Sequence, residues 1–255
     1  MARRRFFLRA VLSFYKRFYM TLNLDERLLC AASFVRRGKR FADIGSDHAY
    51  LPIYLAQRGI VDSALASDIN EGPVESAIRN INTYGVCDKV SAICSDGLAG
   101  VRDFAPEDIA ILGMGGELIE FIISRADWVK DGSIRLILQP MTHAESLYAY
   151  LCREGFDIVD EGICSTSERR TDRIYRIIVA EYSGRTSEPS TVEALVGKKN
   201  IERYRQTKDA LVKKYIKHLI EVFGVRMNGK KYAELDASVE ENLVSSLEEI
   251  IKVEN

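Results

Sequence analysis

The chain has 255 residues, 47% of them hydrophobic and 29% charged, with a formal net charge of −1. That length suits a main domain plus an accessory piece, and the composition suits a soluble globular core. No stretch approaches the roughly 18 consecutive apolar residues of a membrane-spanning helix. Cys30, Cys87, Cys94, Cys152 and Cys164 form no C-x-x-C pair and the three histidines are scattered. This argues against a metal centre and for reduced thiols in the cytoplasm.

Along the chain, residues 1–19 alternate basic and aromatic side chains and sum to +6. Lys16 and Arg17 interrupt the apolar run that a signal peptide needs. Two readings stay open: a basic extension lying on RNA or a membrane surface, or a natural start at Met20. Leu24, Leu28, Leu29, Ala32 and Val35 then fall at helical spacing, with Asn23 or Asp25 as cap and Gly38 as stop. Strands at 40–44, 63–67, 90–94, 108–112 and 134–138 alternate with helices at 49–58, 73–84, 116–125 and 144–154. Strands at 157–161 and 173–181 follow without a helix between them. The pattern predicts a mostly parallel α/β sheet covered on both faces, with an antiparallel strand near one edge.

Beyond a polar linker at residues 182–190, a helical stripe runs over 193–223, breaks between Gly224 and Gly229, and resumes from Leu235. Two long antiparallel helices, a coiled-coil hairpin, are the economical reading. Residues 198–231 sum to +8 and residues 232–255 to −6, so the first of these helices carries a basic face. The organisation expected is therefore a leader over 1–19, a sheet domain over 20–184 and a helical hairpin over 189–255.

In open α/β sheets ligands bind beyond the carboxyl ends of the strands. Those ends read Asp43-Ile44-Gly45, Ser67-Asp68-Ile69-Asn70, Ser95-Asp96-Gly97-Leu98, Gly113-Met114-Gly115-Gly116 and Gln139-Pro140-Met141. Asp68 follows Gly45 by 23 residues, where doubly wound folds place the carboxylate that grips ribose hydroxyls. Asp96 is placed to accept from an adenine amine. The first turn reads Gly45-Ser46-Asp47-His48-Ala49-Tyr50 and lacks the later glycines of G-x-G-x-x-G. An acidic turn suits S-adenosylmethionine, which has a sulfonium and an ammonium but no phosphate.

These residues resemble the class I S-adenosylmethionine-dependent methyltransferases, and within them the bacterial tRNA adenine-22 N1-methyltransferases that act on the D-arm. The likeness rests on the run from Ala42-Asp43-Ile44-Gly45 through Ser46-Asp47-His48-Ala49 to Tyr50-Leu51-Pro52. Asp96-Gly97-Leu98, Gly113-Met114-Gly115-Gly116 and Leu136-Ile137-Leu138-Gln139-Pro140 follow in the same order, and the likeness extends from about Leu24 to Glu181. It implies a Rossmann-like methyltransferase sheet in which Asp43, Gly45 and Asp47 frame the methionine end of the cofactor, with His48 a further cofactor-binding candidate. Asp68 then meets its ribose and Asp96 its adenine, with Ile69, Gly97 and Gly113 as further cofactor-binding candidates. Gly113-Met114-Gly115 stands where exocyclic-amine methyltransferases carry an Asn-Pro-Pro-Tyr-like element, which favours a ring-nitrogen target. Asp47, Gly113, Met114, Gly115 and Gln139 are the candidates beside the reacting atoms, and Arg27, Lys198, Lys199, Arg203, Arg205 and Lys213 those for tRNA. No protein partner is implied beyond a monomer or weak dimer. The sequence departs from the family in its first nineteen residues and at Arg176, where an acid is common.

Each residue also has a plainer reading. Asp43 and Asp68 suit helix caps, Asp47 a turn bond, and Tyr50 and Met114 the core. His48 suits a buried structural histidine as well as a pocket, and Gln139 either reads a base edge or closes a loop. The basic helix can be a solvated face partly paired with the acidic one. The alternatives in function are methylation of another RNA or a small molecule, and a non-catalytic cofactor- and RNA-binding module.

Overall fold

The computed structural model describes residues 21–168 and 171–252, so the expected basic leader lies outside the described residues. Helix α1 (Glu26–Ser33) starts where Asp25 Oδ1 accepts the Leu28 N–H at 2.7 Å, which decides the cap in favour of Asp25. It is followed by β1 (Lys39–Ile44), α2 (Tyr50–Gln57), β2 (Val61–Asp68), α3 (Glu71–Thr83) and β3 (Val90–Cys94). Next come β4 (Asp108–Met114), α4 (Gly116–Ser124), β5 (Arg135–Pro140), α5 (Ala144–Arg153), β6 (Phe156–Glu168) and β7 (Thr171–Tyr182). The strands form one sheet in the order β3-β2-β1-β4-β5-β7-β6, in which β7 runs antiparallel to both of its neighbours.

Side-chain alternation along the central strands explains the two covered faces. Ala42, Ile44, Ile109, Ile111, Leu136 and Leu138 pack on one side with Ile119 and Ile123 of α4 and Leu147 and Leu151 of α5. Phe41, Ala110, Leu112 and Ile137 point to the other side, against Ala31 and Ala32 of α1, Leu51 and Leu55 of α2 and Ala77 and Ile81 of α3.

Two features differ from the sequence expectation. First, β6 and β7 are longer than predicted. Strand β5 pairs with β7 only from Arg135↔Glu181 to Leu138↔Ile178, whereas the β6–β7 ladder continues to Glu168↔Thr171. The last part of that ladder is a two-stranded arm reaching past the carboxyl edge of the sheet. Its Ser165-Thr166-Ser167 run reads as a loop because it lacks the apolar alternation of a covered strand.

Second, the predicted helix over 193–223 is three helices: α6 (Thr191–Val196), α7 (Lys198–Thr207) and the start of α8 (Ala210–Tyr232). Gly197 breaks the run at φ 97°, and Lys208 breaks it again at φ 55°. Asp209 Oδ1 then caps α8 by accepting the Leu211 and Val212 N–H groups. The predicted break between Gly224 and Gly229 is absent, because α8 runs through both glycines. Helix α9 (Ser238–Lys252) packs back on α8, with Lys230 and Lys231 paired to Glu240 and Glu241 at the turn. Val212, Ile216 and Phe223 of α8 and Leu247 and Ile250 of α9 share an apolar cluster with Tyr204 and with Ile163 of β6.

Candidate active site

The strand order reverses between β1 and β4, which leaves a crevice at their carboxyl ends. After β1 the chain folds back over β2, where the Gly45 and Ser46 N–H groups both donate to the Ser67 carbonyl at 2.8 and 2.9 Å. This turn holds Gly45 at φ 76°, and a Cβ added there would run into the Met114 methyl. Asp43 is buried and accepts the Ser46 hydroxyl at 2.6 Å, so it does not cap α2. Burial pushes its carboxyl up to about 6, and the Ser46 hydroxyl and the Arg27 charge offset only part of that rise.

Beyond the turn, Asp47 Oδ2 lies 3.2 Å from His48 Nε2, and the His48 ring stacks on Tyr50 with centroids 5.1 Å apart. Asn80 Nδ2 donates to the His48 carbonyl at 3.0 Å, and Ala49 takes a left-handed φ of 55° to begin α2. His48 and Tyr50 are both exposed rather than buried in the core. A cavity of about 220 Å³ is lined by Arg27, Asp43, Asp47, His48, Tyr50 and Leu112, among others.

The ends of β4 and β5 are tied by one amide. Gln139 is fully buried, and its Oε1 accepts from Gly113 N at 3.1 Å and from Arg27 Nη1 at 3.2 Å. Its Nε2 donates to the Pro140 carbonyl at 3.0 Å and to Met141 Sδ at 3.4 Å. Both lone pairs and both N–H groups are thus engaged, so Gln139 braces the strand ends and has no polar atom left to read a base edge. Gly113 sits at φ 76°. Gly115 precedes α4, and the Gly116 N–H donates to the Thr142 carbonyl at 2.8 Å. A Cβ at Gly116 would collide with the carbonyls of Thr142 and His143, which explains the glycine there. Met114 is partly buried against the sheet core and lies over Gly45.

Along the same edge, Asp68 Oδ1 accepts the Asn70 N–H at 2.9 Å, a turn bond rather than a cap on α3, and Ile69 is 61% exposed. Asp96 pairs with Arg125 at 3.2 Å while both stay more than half exposed. Gly97 has φ 53°, and a Cβ there would press on Ile122 at 3.2 Å. A second cavity, of about 230 Å³, is lined by Asp96, Gly97, Leu98, Phe121, Arg125 and Trp128. Arg125 and Ser46 escape a sequence reading because each acts on another side chain across a turn or a helix and neither stands at a strand end.

The residues assigned to RNA from sequence divide. Arg27 lies in the first cavity, not on an outer surface. Arg36, just past the end of α1, is bound to Asp108 at the amino end of β4 through Nε at 2.7 Å. Arg203 bonds the Glu161 carbonyl at 2.6 Å and Asp160 at 3.1 Å, clamping α7 onto β6. Lys199 sits 3.6 Å from Glu202 and Lys213 is half-buried. Lys198 and Arg205 are exposed and line a groove of about 550 Å³ that also holds Glu193, Glu202 and Glu249.

Residues 24–178 match the family described as "Methyltransferase domain". The tRNA (adenine(22)-N(1))-methyltransferase of Bacillus subtilis (strain 168) is 36% identical over 164 residues, covering 64% of this chain and 67% of that protein. The crystal structure of the B. subtilis M1A22 tRNA methyltransferase TrmK superposes with a TM-score of 0.71 at 30% identity, over 91% of this chain and 98% of that one. Streptococcus pneumoniae Sp1610 in complex with S-adenosyl-L-methionine gives 0.71 at 30% identity, over 88% and 97% of the two chains. A family match over residues 24–178, with a relative 36% identical over two thirds of its own length, shows that the chain belongs to the methyltransferase-domain family, alongside the B. subtilis tRNA (adenine(22)-N(1))-methyltransferase.

Proposed function

We propose that this chain is an S-adenosylmethionine-dependent methyltransferase that modifies N1 of the adenine at position 22 in the D-arm of tRNA. The observation that carries this reading is the acidic turn at the switch point. There Gly45 packs under Met114 with no room for a side chain, next to a buried carboxylate that forms no ion pair among the described residues. Such a cradle fits a ligand that brings a positive charge and no phosphate. S-adenosylmethionine, when bound, supplies an electrophilic methyl group on a sulfonium sulfur.

The residues divide the work by position. Asp43, Gly45, Asp47 and His48 hold the methionine end, Asp68 and Ile69 the ribose, and Asp96, oriented by Arg125, the adenine. Gly113, Met114 and Gly115 form the wall at the target base, braced by Gln139. N1 of adenine has an in-plane lone pair, so the protein need not remove a proton first. Rate then comes from in-line positioning and exclusion of water. The helices over 189–255 would hold tRNA through exposed Lys198, Arg205, Lys214 and Lys217, with the target base turned out of its stack. The enzyme would act in the cytoplasm as a monomer or weak dimer.

Incubation of unmodified tRNA with the protein and labelled S-adenosylmethionine, followed by nucleoside digestion, should give 1-methyladenosine mapped to position 22. Label in another nucleotide would move the reading to a different RNA target, and unlabelled tRNA would overturn it.

A further inference from the structure

The packing of α1 on β6 brings two cysteines together. Gly162 and Cys164 are two residues apart on β6 and so point to the same side of the strand. A Cβ added at Gly162 would come within 3.1 Å of Cys30 Sγ and 2.9 Å of the Phe34 ring, which places the Cys30 sulfur directly over the strand. From there it accepts a hydrogen bond from the Cys164 thiol. Cys164 is 6% exposed, whereas Cys30 is half-buried and open to a small solute. Among the described residues no third His, Cys, Asp or Glu joins the two to make a metal site. The remaining cysteines stand apart: Cys87 lies just before β3, Cys94 ends that strand, and Cys152 is buried on the other face of the sheet.

The two thiols are not equivalent. The S–H bond from Cys164 holds the Cys30 thiol below its ordinary range; burial opposes this, and the Arg203 charge adds to it. Arg203 is kept nearby by its bonds to the Glu161 carbonyl and to Asp160 on the same strand. The Cys164 thiol is pushed up, first by that same bond and then by burial. Cys30 is therefore the sulfur that ionises and meets solvent, and Cys164 the proton-bearing sulfur waiting beside it. An accessible thiolate poised next to a second thiol is the arrangement that senses oxidants.

We propose that Cys30 and Cys164 are a redox-responsive pair, which a hydroperoxide closes to a disulfide that fastens α1 to β6. The Cys30 thiolate attacks one oxygen of the hydroperoxide, so that an S–O bond forms and the O–O bond breaks. The other oxygen takes up the proton that Cys30 released and leaves as water or an alcohol. The Cys164 sulfur then attacks the Cys30 sulfur, an S–S bond forms, and the hydroxyl departs with the Cys164 proton as water. The two thiols lose two electrons in all, and the hydroperoxide gains them. Cys164 follows Cys30 by 134 residues, so the bond closes a long loop and restrains the unfolded chain strongly. Cys30 lies about one helical turn beyond Arg27, so the bond also fixes the helix that lines the crevice. None of this depends on which RNA the chain methylates.

The test treats the fully reduced, full-length protein with hydrogen peroxide, alkylates the remaining thiols in denaturant and maps the peptides by mass spectrometry. The Cys30 and Cys164 peptides should be found joined, lighter than their sum by two hydrogens, while Cys87 and Cys94 gain no protein partner. Dithiothreitol should separate them again. The melting midpoint should rise by about 5 °C or more on oxidation and return on reduction. Cys164→Ser should leave Cys30 as a sulfenic acid that dimedone captures, with no rise in the midpoint. Recovery of Cys30 and Cys164 as alkylated thiols once Cys87 has been oxidised overturns the proposal, as does a cross-link from Cys30 to any other cysteine. So does a Cys30–Cys164 bond that leaves the midpoint unchanged, because α1 would then not be fastened. The peptide map of the unmodified protein decides the matter even if Cys164→Ser folds poorly.

Discussion

Asp43 is a buried carboxyl pushed up to about 6 by desolvation, and two consequences of opposite kind follow. In the free protein it keeps its proton up to about 6, while the unfolded chain releases it near 4, so this group's contribution to stability falls as pH rises between those values. A ligand ammonium needs the ionised form, so S-adenosylmethionine affinity should drop as pH falls through about 6, approaching tenfold per unit below it. Titrations from pH 5 to 8 check this, and Asp43→Asn should flatten the profile. Gly45→Ala combines a left-handed backbone with a clash on Met114. It should cost about 1–2 kcal/mol of stability from the backbone alone. Pairing it with Met114→Ala should relieve the clash and restore part of the cofactor affinity, but not the backbone cost. The positions of Asp43, Gly45, Asp68 and Asp96 at or just past the strand ends were legible because strand ends fall where apolar runs stop. The bond between Arg27 and Gln139 was not legible, since a helix pattern does not show which neighbour a guanidinium finds. Nor does it show whether an amide is already saturated.

Among the elements, the joint between β6–β7 and the C-terminal helices depends on buried charge. Arg176 bonds Glu161 at 2.7 Å through Nη2 and the carbonyls of Ala194 and Leu195 through Nη1, and both side chains are almost fully buried. The arginine that departs from the family pattern is thus the pin that receives the end of α6. Arg176→Leu should cost about 3–5 kcal/mol, because Glu161 would be left charged and unpaired. Thermal melts should show the loss, and adding Glu161→Gln should return part of it. Gly197 belongs to the same joint, since a Cβ there would overlap the Glu161 carboxylate. The expectation of one long helix over 193–223 failed at this point because apolar spacing persists through a break. Gly224 and Gly229, read as a stop, remain helical because a glycine in a helix costs only about 1 kcal/mol and packing of α8 on α9 outweighs it.

For the whole molecule, removing residues 189–255 would uncover Ile163 and the Glu161–Arg176 pair, so truncation would confound binding with folding. Charge reversal is the cleaner probe. Lys198→Glu, Arg205→Glu and Lys217→Glu together should raise the KM for tRNA about tenfold or more at moderate salt, and calorimetry should find cofactor affinity unchanged. An unchanged KM would remove these helices from the binding surface. The parallel sheet and its antiparallel edge were readable because helix and strand periods alternate cleanly along the chain. The full length of β6 and β7 was not, because the Ser165-Thr166-Ser167 run has no apolar alternation to read.

Helix α1, which brings Arg27 to the site, is seated on β6, where Gly162 leaves room for Phe34 and Cys30 and for nothing more. Cys30 precedes Gly162 by 132 residues. On the ribosome, α1 therefore emerges long before the strand that completes its seat. A nascent chain halted before Phe156 would hold the Gly45 turn, Met114 and Gln139 but not the strand that seats α1. Contact of α1 with β6 thus becomes one of the later events of synthesis.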